Sequence, residues 1–261
     1  MGRLMSNYLH QALAAVRMAF ADRTNFTLQA GGMVVNNGFF LLMWFLFFKG
    51  FRSVGGWGGT DVALLLGVIM VIVGIAGTLF GGYRDMAATI LSGEVDALLT
   101  QPKSVLGRLL SREAIPSALG DFLTALIVLA GFSGLRWSQA PLLALMTAVG
   151  LTIYIAATVM FGSLAFWVRG ARSLARDLAD FLIMVSSYPG SIFTGPSRWI
   201  IFTLLPAGFV VLTPVKMLRA PSAQTLAELT AAVGVYVALA GAVFWLGLRR
   251  YRRGATPVMG M

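Results

Sequence analysis

Several stretches of this chain are apolar over the ~20 residues that a helix needs to cross a ~30 Å hydrocarbon core. Charged residues are withdrawn from them into the intervals between. In lipid every backbone amide and carbonyl needs an internal partner, which a helix supplies from its own segment. The pattern therefore predicts an all-α, polytopic membrane protein. Composition agrees: 58% of the 261 residues are hydrophobic and 11% charged, against roughly 25% charged in a soluble domain. The polar surface that would coat a globule of this size is missing.

Residues 1–25 precede the first apolar run. Leu4, Tyr8, Leu9, Leu13, Val16 and Phe20 recur there at helical spacing, with Arg3, Ser6, Asn7, His10 and Arg17 on the other side. This predicts an amphipathic interfacial helix rather than the short basic opening of a signal peptide. Spans follow at about Phe26 to Phe48, Asp61 to Gly82, Ser117 to Phe132, Leu142 to Val168 and Leu226 to Leu248. Between the fourth and the last lies an apolar region from about Leu178 to Leu218. It is too long for one helix and is interrupted by Pro189, Pro196, Pro206 and Pro214. It holds either two full spans or a fifth span followed by a re-entrant segment, 189–218.

The bias of basic residues toward the cytoplasmic side separates the two options. With the amino terminus inside and six spans, fourteen basic residues lie inside. They are Arg3, Arg17, Arg23, Arg84, Lys103, Arg108, Arg112, Arg169, Arg172, Arg176 and the terminal Arg249, Arg250, Arg252 and Arg253. Six lie outside: Lys49, Arg52, Arg136, Arg198, Lys216 and Arg219. A seventh span would move the terminal four outward and erase the asymmetry, so the re-entrant reading is the better one. Both termini are then cytoplasmic, in a multi-pass protein of the bacterial inner membrane. The net charge of +10 belongs to loops beside anionic lipid rather than to a nucleic-acid surface.

The longest polar interval, 83–116, carries eight charged residues. Ile90, Leu91, Val95, Leu98 and Leu99 keep helical spacing up to Pro102, and Val105, Leu106, Leu109 and Leu110 begin a second segment that Pro116 ends. Prolines interrupt helices by removing a donor and clashing with the preceding turn. The interval reads as two short helices outside the bilayer, within one transmembrane domain spanning 1–261.

No catalytic residue and no metal site is expected. The chain has no cysteine and one histidine, His10, which excludes thiolate or multi-histidine metal centres and cysteine nucleophiles. It has no phosphate-binding loop of the Gly-x-x-x-x-Gly-Lys-Ser/Thr kind, and the run Gly55-Gly56-Trp57-Gly58-Gly59 lacks the lysine. Asp61, Asp121 and Asp180 fall near expected span ends, and no acid is expected deep in a span. Asn36 and Asn37 in the first span, with Ser187 and Tyr188 in the fifth, are the residues expected to line a passage. Each alone fits an interhelical hydrogen bond as well.

Taken together, an amphipathic leader, two spans, a charged helical excursion, three spans, a re-entrant element and a basic tail resemble a known family. The chain is similar to the membrane-spanning permease subunit of an ATP-binding-cassette transporter of the type-two exporter class, in its short six-span branch. The local resemblance is the run Gly93-Glu94-Val95-Asp96-Ala97-Leu98-Leu99-Thr100-Gln101-Pro102. The resemblance implies that this excursion is a coupling helix seated in a groove of a separate ATPase subunit. Val95, Leu98 and Leu99 would be its anchors, and Gly93, Glu94, Asp96 and Pro102 would complete the contact. It implies no cofactor in this chain, ATP and Mg2+ in two copies of the partner ATPase, and a second permease copy or a related permease. A self-contained secondary carrier or flippase, and a non-transporting membrane scaffold, are the alternatives.

Overall fold

A computed structural model describes residues 2–100 and 104–254, with side chains from residue 10 onward. Among the described residues the regular structure is helical apart from one bridge, Val54 to Trp57, that closes a Gly55-Gly56 turn. Helix α1, Gly2–Ala19, is followed by α2, Arg23–Gly50, whose first turn is capped by the Asp22 carboxylate accepting from Asn25 N at 3.0 Å. Helix α3, Gly59–Phe80, continues through a tight turn at Gly81–Tyr83 into α4, Met86–Leu91. Two short helices follow, α5 at Val95–Leu99 and α6 at Val105–Ser111. Beyond them are α7, Pro116–Gly131, α8, Ala140–Ser163, α9, Ala171–Ser186, α10, Pro196–Thr203, α11, Thr213–Arg219, and α12, Ala223–Arg252.

Four helical stretches are long and apolar enough to cross a membrane: Arg23–Gly50, Gly59–Leu91, Trp137–Phe166 and Ala223–Arg252. Two further pairs qualify only jointly, α6 with α7 at a 75° bend and α10 with Gly208–Arg219 at 73°. The protein is thus a multi-pass membrane protein. Pro116 stands at the first position of α7 rather than at the end of α6, a place where its missing N–H goes unused. The charged excursion contains three short helices rather than two, and Pro102 lies outside the described residues.

Helix α3 is the centre of the packing. Leu64 through Ile72 are buried without interruption, so every face of this stretch is covered, as expected of a helix that is apolar all round. Its approach to α7 depends on glycine: a Cβ at Gly77 would fall 2.5 Å from the Ala118 Cβ, and one at Gly81 would fall 2.7 Å from the Glu113 carbonyl oxygen. The Gly77-x-x-x-Gly81 spacing is therefore a helix-packing device. Helix α2 is the opposite case. Only Ala30, Asn37 and Trp44 are buried on it, one residue every seven, which makes a single seam against α7. Leu28, Val35, Phe39, Phe45 and Leu46 remain exposed, as lipid-facing residues do.

Among the described side chains of α1, Ala12 and Ala15 are covered by the protein, while Leu13 and Met18 are exposed. These small residues let the helix lie close to α6 and α3.

The connections sort to two ends. At one end gather α1, α4 to α6, the start of α9 and the end of α12, where Tyr251 Oη donates to Gly93 O at 3.4 Å. Most of the arginines are here. At the other end Arg219 pairs with Asp61 at 3.0 Å and donates to Thr60 O and Ser133 O, joining the ends of α3, α7 and α11. The chain between α9 and α12 begins and ends at this second end, because Ser191 Oγ donates to Val54 O at 3.3 Å. At the bend after α10 the carbonyls of Phe202 and Thr203 each lie 2.9 Å from Tyr236 Oη of α12. A hydroxyl placed there serves carbonyls that the helix break leaves without an amide.

Candidate functional site

Helices α2, α3, α7 and α9 enclose a cavity of about 590 Å³. Its walls are mostly apolar, with Met33, Phe40 and Met43 from α2, Ile69, Met70 and Val73 from α3, and Ile183 and Met184 from α9. Asn36 and Asn37 enter from α2, and Ser187 and Tyr188 from the end of α9. The structure thus brings all four expected passage residues to one space, on opposite sides of it. A concave apolar site with a few convergent polar groups is the usual form of a small-molecule site. A second cavity of about 630 Å³ lies between α2, α3 and α7 nearer the other end, and no charged residue lines it.

The four polar residues differ in state. Asn37 is buried and donates from Nδ2 to Asp121 Oδ1 at 2.8 Å, the interhelical bond that a polar residue in a span commonly makes. Asn36 is exposed and reaches Met33 Sδ at 3.8 Å. Ser187 Oγ donates to Ile183 O at 2.8 Å within its own helix. The Tyr188 ring packs edge-on against Phe40, with centroids 6.4 Å apart, and at 6.1 Å from Trp44. These three aromatic rings stand at the cavity's far side, toward the second end of the molecule.

Three charged lining residues fall outside the set expected from sequence: Asp121, Arg84 and Asp180. Asp121 corrects the expectation that no acid lies deep in a span. It is 5% exposed and bonded to Asn37, the fifteenth of the 28 residues of α2. Asp121 is near the start of α7, but α6 and α7 meet at 75°, and the helix it faces runs well past it on both sides. Asp180 is the tenth residue of α9, because that helix begins at Ala171, and with Arg172, Arg176 and Asp177 it precedes the apolar part. Asp180 pairs with Arg84 at 3.0 Å, and Arg176 pairs with the adjacent Asp85.

The excursion has its own geometry. Gly93, at φ +81°, ends α4 in the left-handed region that a side chain disfavours, and this turns the chain into α5. Val95 is fully buried in this chain's own core. It holds the turn in place, and it is not available as an anchor for another protein as the family resemblance implied. Leu98 and Leu99 are half-buried at the edge of the core, while Glu94, Asp96 and Ala97 are exposed. From beneath, the buried Arg108 donates to Leu98 O. Arg112 pairs with Glu94 at 3.0 Å and donates to Thr89 Oγ1 at 2.8 Å. The turn is thus a short, acidic-rimmed projection set rigidly on the arginine-rich end.

A family model described as ABC-2 family transporter protein matches residues 34–254. The chain belongs to this family. It is a membrane permease subunit of the ABC-2 transporter family, and Asn36, Asn37, Asp121, Ser187, Tyr188 and the whole 93–99 turn fall within the matched segment. Neither the curated proteins nor the solved structures yield a match to the chain. Among the described residues no cluster of three or more histidine, cysteine, aspartate or glutamate side chains is arranged to hold a metal ion.

Proposed function

We propose that this ABC-2 family permease forms the translocation path of an exporter of the type-two class and couples it to ATP hydrolysis by a separate ATPase subunit. The observation that carries the reading is the pairing, within one family-matched segment, of a mostly apolar cavity with a few polar groups between four helices and an acidic turn exposed at the arginine-rich end. On this reading the protein has six spans, namely α2, α3 with α4, α7, α8, α9 and α12. Residues 189–218 form the re-entrant segment. The 1–261 chain is one transmembrane domain in the bacterial inner membrane, with both termini and the arginine-rich end in the cytoplasm, where basic residues concentrate.

Two ATPase subunits carrying ATP and Mg2+ close on nucleotide, and each receives one coupling turn. Glu94, Asp96, Leu98 and Leu99 form the contact, with charges orienting the rim and leucines filling the groove; Gly93 and Val95 shape and hold the turn. Two permease subunits, identical or related, then rock between inward-facing and outward-facing states. Asn36, Asn37, Ser187 and Tyr188 line the path. The experiment is a Leu98→Asp, Leu99→Asp double variant assayed with the ATPase. The reading expects normal membrane insertion and loss of permease-dependent stimulation of ATP hydrolysis, and unchanged stimulation contradicts it.

One observation favours a second reading. Asp121, buried on α7 opposite the middle of α2 and lining the cavity, is the kind of group a self-contained proton-coupled carrier uses. That reading predicts transport driven by a proton gradient with no ATPase present. Transport that stops when the ATPase Walker lysine is replaced excludes it.

A further inference from the structure

We propose that the Arg84–Asp180 ion pair is the gate at the cytoplasmic mouth of the cavity, and that the acidic turn opens it through Arg112 and α4. The proposal rests on the permease reading and adds to it the element that controls access to the path. Both residues line the cavity, at the end where α9 begins, and the pair spans from the α3–α4 junction to α9 at 3.0 Å. The neighbouring pair, Asp85 with Arg176, crosses the same gap. Arg176 and Asp180 are one helical turn apart on α9, so both partners of the 84–85 step lie on one face of it. This fixes the register of the two walls when the mouth is shut.

The exposure of the pair suits that role. The Arg84 and Asp180 side chains are 43% and 56% exposed, and ion pairs so wetted contribute little net stability. A contact that opens in every cycle needs to be cheap to break. A set of bonds runs from the turn to the Asp85 carbonyl, one residue along the chain from Arg84. Glu94 pairs with Arg112 at 3.0 Å, Arg112 donates to Thr89 Oγ1 at 2.8 Å, and Thr89 Oγ1 donates to Asp85 O at 3.0 Å. Helix α4 is six residues long and joins the turn to residues 84–85, so a displacement of Glu94 passes along it to the pair.

The chain has no cysteine, so a single Val73→Cys reporter in the cavity wall reads access without background. The complex with its ATPase, in inside-out vesicles, is treated with a membrane-impermeant methanethiosulfonate reagent. Without ATP, Arg84→Asp and Asp180→Arg are each expected to raise the labelling rate about tenfold, and the charge-swapped double variant to return it to within about twofold of the parent. Arg112→Ala is expected to leave the resting rate low while abolishing its response to ATP with vanadate. Labelling unaffected by either single charge reversal, or raised equally by the swapped pair, overturns the gate. An ATP response that persists in Arg112→Ala overturns the linkage. If the charge reversals behave as expected while ATP changes nothing in any variant, the gate stands and it is the ATPase coupling of the permease reading that fails.

Discussion

The Asn37–Asp121 bond illustrates how a single polar contact behaves where water is scarce. Removing one partner leaves the other buried and unsatisfied, at a cost of ~1–3 kcal/mol, whereas replacing both by apolar groups is far less damaging. Asn37→Leu is therefore expected to lower the detergent melting temperature measurably, and the Asn37→Leu, Asp121→Leu double variant to recover most of the loss. Additive losses in the double variant would mean that the two side chains do not act as a pair. Asn36, Asn37, Ser187 and Tyr188 were legible in the sequence as polar groups set in apolar runs. Asp121 was not, because its depth depends on which helix it faces and on the bend before α7. Arg84 and Asp180 could not be assigned to the cavity either, since their positions 96 residues apart are joined only by the packing of α9 on the α3–α4 junction.

At the level of elements, glycine and tyrosine set the close approaches and the breaks. A Gly77→Val substitution places a Cβ 2.5 Å from that of Ala118 and forces α3 and α7 apart. Overpacking of this kind costs ~1–3 kcal/mol, and a reduced yield of folded protein on size-exclusion chromatography in detergent would register it. Tyr236→Phe removes the hydroxyl that serves the Phe202 and Thr203 carbonyls. The expected result is a loss of ~1 kcal/mol and faster hydrogen exchange confined to the segment 203–208; uniform exchange changes along α12 would contradict a local role. The long apolar runs located helices α2, α3, α7, α8 and α12 to within a few residues, since burial in lipid leaves little choice of element. The excursion was harder to read. Helix α5 has five residues, too few for periodicity to tell which apolar side chain points inward, and Val95 faces the core rather than a partner. The start of α9 was placed too late for a related reason: its first turns carry charges that the ion pairs with Arg84 and Asp85 accommodate.

Across the whole molecule, the separation of charge between the ends and the placement of the cavity between them define one direction. The arginine-rich end carries the turn, the Arg84–Asp180 pair and the Arg249 to Arg253 tail, and the other end carries the Arg219–Asp61 staple and the aromatic rings beside Tyr188. With that orientation, a cysteine at Ser53 is expected to react with impermeant reagent in intact cells, and one at Arg253 only after the membrane is opened. The reverse pattern would invert the topology and remove the coupling turn from the cytoplasm. The central claim is that this permease works with a separate ATPase. It is tested most directly by purifying the tagged chain from its native membrane in mild detergent, identifying what accompanies it and assaying ATP hydrolysis. The account predicts a roughly stoichiometric ATP-binding-cassette subunit with vanadate-sensitive activity. Recovery of this chain alone, with or without crosslinking, and with no ATPase activity, would contradict it.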